Sequence, residues 1–183
     1  MTGAYAGILN GGSSVTPYGI ESLTLKGESA PLIGKSGGIG ERVVSQKAAQ
    51  QLVWMMEQVI ANGTGGRAKL DGREVAGKTG TTSEARDAWF IGFTADYVTG
   101  VWMGYDDNTP LVGVTGGGIP AEIWHEVMAR VEDGLPATPL PAIVPEARLP
   151  PPGTRDAGAA PTAHTPKDDP ITALLKGILG KGN

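Results

Sequence analysis

Two short apolar runs, separated by only two residues, limit this chain more than any other feature. Ala88-Trp89-Phe90-Ile91-Gly92-Phe93-Thr94 and Tyr97-Val98-Thr99-Gly100-Val101-Trp102-Met103-Gly104-Tyr105 are joined at Ala95-Asp96. Their aromatic and β-branched content and the tight connection predict an antiparallel hairpin. Gly92, Gly100 and Gly104 leave flat spots where a helix could lie close to the sheet.

Helical patterns flank this hairpin. Residues 4–9 read as the end of a helix stopped by Asn10-Gly11-Gly12. Val15 to Leu23 reads as extended, followed by a Gly/Ser/Pro loop to about residue 42. From Ser45, a plausible N-cap, to Ala61 the pattern is helical, with Asn62-Gly63 as its stop and Ala48, Leu52, Met55, Met56 and Val59 as the expected apolar face. A glycine-rich loop, 113–118, leads to another helix opening at Pro120, with Trp124, Val127, Met128 and Val131 expected inward. Glu122 in its first turn and Arg130 in its last suit the helix dipole, and Gly134-Leu135-Pro136 ends it. Helices around an antiparallel hairpin make the class α+β. Asp106-Asp107-Asn108 reads as a solvated strand end.

Composition excludes several functions. Of 183 residues 15 are basic and 19 acidic, for a net charge of −4, so no basic footprint points to nucleic acid. There are no cysteines, and two histidines, His125 and His164, are too few for a histidine-rich metal centre. His125-Glu126 opens like H-E-x-x-H, but Ala129 stands where the second histidine belongs. Nothing calls for a cofactor. The first residues lack the basic region and apolar core of a signal peptide, and no run approaches the ~20 apolar residues of a membrane span. Ten of the 14 prolines lie between Pro136 and Pro170. Residues 1–135 are therefore expected to form the folded part. Residues 136–183 are expected to be a mostly disordered Pro/Ala-rich linker with a short amphipathic segment at Ile171, Leu174, Leu175, Ile178 and Leu179.

The candidate chemistry sits in Val75-Ala76-Gly77-Lys78-Thr79-Gly80-Thr81-Thr82. Gly72 to Thr79 fits G-x-x-x-x-G-K-T, which would make a nucleotide-binding P-loop. Lys78-Thr79-Gly80 also fits the K-T-G element of serine acyl-transferases. Against the first, residues 65–71 are too polar for the buried strand a P-loop needs, and Glu74 inside the supposed cradle would repel phosphate. Gly80-Thr81-Thr82-Ser83 is a poor helix start. For the second, Arg73 to Ala76 can begin a strand that places Lys78 and Thr79 on opposite faces. An edge strand there could pair with an extended peptide, with Gly80 admitting the ligand to the main chain. Lys78 supplies a positive charge, Thr79 and Thr81 hydroxyl donors suited to a carboxylate, and the N–H near Thr81 a candidate oxyanion donor.

Blocks spread over residues 4–131 carry a resemblance. They are Ala4-Tyr5-Ala6 with Asn10-Gly11-Gly12; Thr16-Pro17 and Ile20; Gly63-Thr64-Gly65 then Ala68; Val75 to Thr82; Asp87 to Thr94; Gly100-Val101-Trp102 and Gly104-Tyr105-Asp106; and Trp124 with Met128. In this order they resemble the C-terminal half of the transpeptidase domain of class A (bifunctional) penicillin-binding proteins. The resemblance implies a penicillin-binding-protein/β-lactamase-like fold, of which this chain carries about three of five antiparallel strands. It implies a periplasmic, inner-membrane-attached enzyme that cross-links peptidoglycan stem peptides through a serine acyl-enzyme and is trapped by β-lactams. Lys78, Thr79, Gly80, Thr81 and Thr82 match its substrate side. The family's S-x-x-K and S-x-N motifs are absent: Ser45 is followed three residues on by Ala48, and Ser83 by Arg86, which cannot act as a base. The chain is thus expected to be a truncated portion, inactive alone, whose partner is the N-terminal remainder of the domain. The strand around Val101 should then carry an unpaired edge. A non-catalytic cell-wall interaction module is the remaining alternative.

Overall fold

The computed structural model describes residues 1–34 and 37–146. Its elements in chain order are α1 (Thr2–Leu9), β1 (Ser13–Thr16), β2 (Ser22–Leu23), β3 (Ile33–Gly34), β4 (Gly38–Arg42), α2 (Gln46–Ala61), β5 (Ala76–Thr81), β6 (Asp87–Phe93), β7 (Val98–Gly104) and α3 (Ile119–Val131). The class is α+β, as the sequence implies. The central sheet has the order β5-β6-β7, antiparallel throughout, and β1-β4 and β2-β3 form two smaller antiparallel ladders. β1 and β2 fall at the two ends of the stretch expected to be extended, whereas β3 and β4 replace the loop expected up to residue 42. These strands are only two to five residues long and β4 is exposed along its whole length, so no apolar alternation announces them.

The hairpin β6–β7 holds the fold together, with Trp89 opposite Trp102 and Phe90 opposite Val101. Alternation puts Phe90 and Gly92 on one face, and Trp89, Ile91 and Phe93 on the other. On the first face α3 inserts Trp124, whose ring meets Phe90 edge-on at a centroid distance of 5.5 Å. The Trp124 Nε1–H donates to Gly92 O at 3.2 Å and Thr99 O at 3.1 Å, so the buried indole keeps its polar atom satisfied. Ile60, Leu70, Val75, Ala121 and Met128 complete this cluster. On the second face Val53 of α2 packs with Ala76, Phe93 and Leu140, joined by Tyr5, Ile8 and Leu9 of α1. The flat spots act as expected at two positions. A methyl at Gly92 would lie 2.9 Å from the Trp124 ring, and one at Gly100 would lie 2.8 Å from Thr2 Oγ1 of α1. At Gly104 the neighbour is instead the Trp102 ring, from the same strand.

Both longer helices have the expected extent; α2 differs in phase, and α3 buries the expected Trp124 and Met128 but not the rest of its expected face. Ser45 caps α2, its Oγ accepting from Ala48 N–H at 3.3 Å. The buried positions of α2 are Ala49, Val53 and Ile60, whereas Met55 is exposed. The helix touches β5 and α1 at once, so its contact arc is turned one position from the most periodic stripe, and Leu52 lines a cavity of about 450 Å³ against α1. In α3, Pro120, Ala121, Trp124 and Met128 are buried, while Val127 and Val131 face solvent.

β5 begins at Ala76, later than the Arg73 expected. Arg73 is occupied elsewhere: Leu70 and Arg73 bridge across a turn in which Gly72 has φ +71°. The Arg73 guanidinium then reaches the end of α3. Its Nη1 lies 2.8 Å from Glu132 Oε2, with side chains 8% and 3% exposed, and 3.3 Å from Asp96. Leu135 O at 2.8 Å and Pro136 O at 3.0 Å accept from the same group. Thr94 Oγ1 donates to the other carboxylate oxygen of Glu132. One arginine thus ties the β6–β7 turn, the end of α3 and the chain leaving it.

The compact unit runs to Pro145, past the boundary expected at residue 135. Leu140 is buried against α2 and the sheet, and its N–H donates to the Glu74 carboxylate at 2.6 Å. Proline content alone does not show such a docking point. The expectations for 147–183, including the amphipathic segment at Ile171, lie outside the described residues.

Two substitutions test this packing. Arg73→Met should strand Glu132 as a buried, unpaired charge and cost about 3–5 kcal/mol in urea denaturation. Gly92→Ala should overpack the Trp124 contact and cost about 1–3 kcal/mol by the same measurement.

Candidate functional site

Lys78 lies in the middle of β5, at the rim of the central sheet. The nucleotide-binding reading of Gly72 to Thr79 is thereby corrected. Val75, Ala76 and Gly77 are buried in sheet packing, not wrapped as a cradle, and a strand, not a helix, carries Lys78-Thr79. No helix opens at Lys78-Thr79 to bind phosphate, because both residues lie inside β5.

The hydrogen-bond phase of β5 decides what the rim offers. Its register pairs Lys78 with Ile91, Thr79 with Phe90, Gly80 with Trp89 and Thr81 with Ala88. Just beyond the strand, Thr82 N–H donates to Asp87 O at 3.0 Å. Because antiparallel bonding alternates, Gly80 and Lys78 direct their N–H and C=O groups into the ladder, and Thr79 and Thr81 direct theirs away from β6. The rim therefore presents the main chain of the two threonines. Side chains alternate as well: Lys78 and Gly80 share the face of Trp89 and Ile91, while Thr79 and Thr81 lie on the face of α3. The exposed Lys78 Nζ bends to the rim, donating to Thr79 O at 2.6 Å.

The hydroxyls are held by neighbouring loops. Thr79 Oγ1 lies 2.7 Å from Thr64 Oγ1, a residue of the loop after α2. Thr81 Oγ1 accepts Gly116 N–H at 3.0 Å, from the loop before α3. Gly116 is buried over the strand, and a methyl there would overlap the main-chain oxygens of Trp89 and Gly80. Thr82 differs from the other expected site residues. It lies past the end of β5, and its Oγ1 accepts Asp87 N–H at 2.8 Å, which turns it into the β5–β6 connection. Asp87 in turn accepts Trp102 Nε1–H at 2.9 Å, anchoring a tryptophan stacked obliquely on Trp89 at 6.1 Å.

The structure thus brings Lys78, Thr79, Gly80 and Thr81 together on one open strand. Thr64 and Gly116 were not among the site residues read from the sequence. Thr64 stands in the Gly63-Thr64-Gly65 block, whose two glycines were the available signal. Asp107 is also solvated as expected, its carboxyl held below the usual range by the Thr109 N–H. No group of acidic and histidine side chains fit to hold a metal occurs among the described residues, and no helix there is long and apolar enough to cross a membrane.

Comparison with known proteins gives the family. The family model described as penicillin binding protein transpeptidase domain matches residues 1–129. Penicillin-binding protein 1A of Aquifex aeolicus is 35% identical over 132 residues, covering 72% of this chain and 18% of that protein. Penicillin-binding protein 1B of Vibrio cholerae is 37% identical over 130 residues, covering 60% and 17%. Among solved structures, penicillin-binding protein 1A from Haemophilus influenzae superposes with a TM-score of 0.62 at 26% identity, covering 79% of this chain and 27% of that one. Penicillin-binding protein A from M. tuberculosis, solved as an imipenem acyl-enzyme complex, gives 0.54 at 26% identity, covering 69% and 29%. The chain belongs to the penicillin-binding protein transpeptidase family, and it spans less than a fifth of the length of these two curated relatives.

The loop over the strand generates its own prediction. Gly116→Ala should lift the loop off Gly80 and release the Thr81 hydroxyl, seen as at least about tenfold faster amide exchange in residues 113–118.

Proposed function

We propose that this chain is the C-terminal part of the transpeptidase domain of a class A, bifunctional penicillin-binding protein, and that it forms one wall of a serine-type D-Ala-D-Ala transpeptidase site. The observation that carries this reading is the open rim of β5, where Thr79 and Thr81 turn their main chain outward beside Lys78. A stem peptide is an extended chain ending in a carboxylate. It can add to the rim as a further strand, its main chain bonded to Thr79 and Thr81 and its path cleared by Gly80. Lys78 contributes charge next to the attacking serine, and with the Thr79 and Thr81 hydroxyls it attracts the terminal carboxylate. The outward Thr81 N–H donates to the oxyanion as the carbonyl becomes tetrahedral. Thr82 supports this wall from the turn, through Asp87.

The serine lies outside this chain in this reading, since no S-x-x-K or S-x-N occurs in its sequence. The acyl group leaves D-alanine, rests on that serine and passes to the amine of a neighbouring stem peptide. β-Lactams mimic the same acyl donor. The setting is the periplasm, with the parent protein attached to the inner membrane. β7 pairs only with β6 among the described residues, which leaves its other edge for the N-terminal remainder of the domain.

A fluorescent penicillin separates this from its failure. The chain alone should take no covalent label, and the full-length protein should label at a serine. Lys78→Ala in the full-length protein should slow labelling about a hundredfold, the scale of losing one electrostatic group at a reacting centre. Unchanged labelling would remove Lys78 and the rim from the mechanism.

A further inference from the structure

Thr64 has no part in the wall described above, yet its hydroxyl is within hydrogen-bond distance of the wall. Its backbone is unusually well fixed. It stands three residues past the end of α2, Gly65 N–H donates to Val59 O at 2.9 Å, and Gly65 is buried. A methyl at Gly65 would lie 2.8 Å from Ile60 Cδ1 and 3.2 Å from Val59 O, so the loop packs closely on the end of α2. Gly117 seals the other side: a methyl there would overlap Thr64 O and lie 3.5 Å from the Thr79 methyl. Three separate stretches, the loop after α2, β5 and the loop before α3, therefore converge on one hydroxyl pair.

We propose that Thr64 is a positioning residue for the carboxylate end of the substrate, acting by presetting the Thr79 hydroxyl. The proposal rests on the reading of β5 as the substrate rim. Two hydroxyls 2.7 Å apart share a single hydrogen between them. An anion on the rim selects one of the two arrangements: Thr79 donates outward to the carboxylate and accepts from Thr64. A hydroxyl that already accepts a hydrogen bond is the stronger donor. Thr64 thus does for Thr79 what the Gly116 N–H does for Thr81, leaving both threonines with their hydrogens free for the ligand.

The test is acylation of the full-length protein by a β-lactam with a free carboxylate and by the same compound as its methyl ester. Thr64→Val keeps the shape and removes the hydroxyl. It should lower the second-order acylation rate constant for the free acid about five- to tenfold and for the ester less than about twofold, the scale of one hydrogen bond to a charged acceptor. Thr64→Ser should restore the free-acid rate. Equal losses on acid and ester would mean a merely structural threonine, and no loss on either would mean an idle one; both overturn the proposal. Lys78→Ala, run alongside, distinguishes the two levels. If it acylates as fast as the unchanged protein, the rim reading itself fails; if it is slow while Thr64→Val is normal, only the role of Thr64 fails.

Discussion

The ladder between β5 and β6 is the constraint on which the site depends. Strand pairing alternates bonded and outward main-chain groups, so register and phase together decide which residues of Lys78-Thr79-Gly80-Thr81 present their main chain at the rim. A slip by one residue would send the Thr79 and Thr81 amides into the sheet and turn Lys78 toward α3. The register is secured at several points at once. Gly77 lies opposite Gly92, Gly80 opposite Trp89, and the Thr82–Asp87 bonds close the ladder where the chain turns. Gly77 also leaves room for the Phe90 ring, which a methyl there would approach to 2.8 Å.

Rigidity around that ladder comes from both faces. Trp124 is pressed onto Gly92 and hydrogen-bonded to carbonyls of β6 and β7, while α1 lies against Gly100 on the other side. Arg73 adds an electrostatic clasp away from the rim, where a buried carboxylate and three main-chain carbonyls converge on one guanidinium. Such a clasp contributes little net stability when complete, yet losing either partner leaves a charge without compensation. Its use here is geometric. It sets where β5 begins, because Arg73 is drawn out of the strand that its neighbours would otherwise extend.

Much of the fold was legible because its signals are local. The hairpin at Ala88–Tyr105, the cap at Ser45, the stop at Asn10-Gly11-Gly12 and the opening of α3 near Pro120 all follow from propensities that act within a few residues. The inward faces of α2 and α3 were less legible. Met55 and Val127 fit the apolar period but face solvent, because a period fixes spacing and not which neighbour the helix meets. β4 and its pairing with β1 were invisible for a related reason. The pairing partners lie more than twenty residues apart and neither strand carries a buried alternation. Leu140 was hidden by the prolines around it, since composition reports the mean behaviour of a segment and not its one docked side chain.

By itself the sequence determined the class of fold, the position of the K-T-G element on a strand and the family to which the chain belongs. Each depends on residue types in fixed order, and order survives in a sequence. Only the tertiary structure decided that Thr79 and Thr81 turn outward, that Thr82 turns back to Asp87, and that Thr64 and Gly116 stand behind the two hydroxyls. Those outcomes depend on the phase of a ladder and on loops converging from 15 and 35 residues away, and separation in space is not written in the order of a chain.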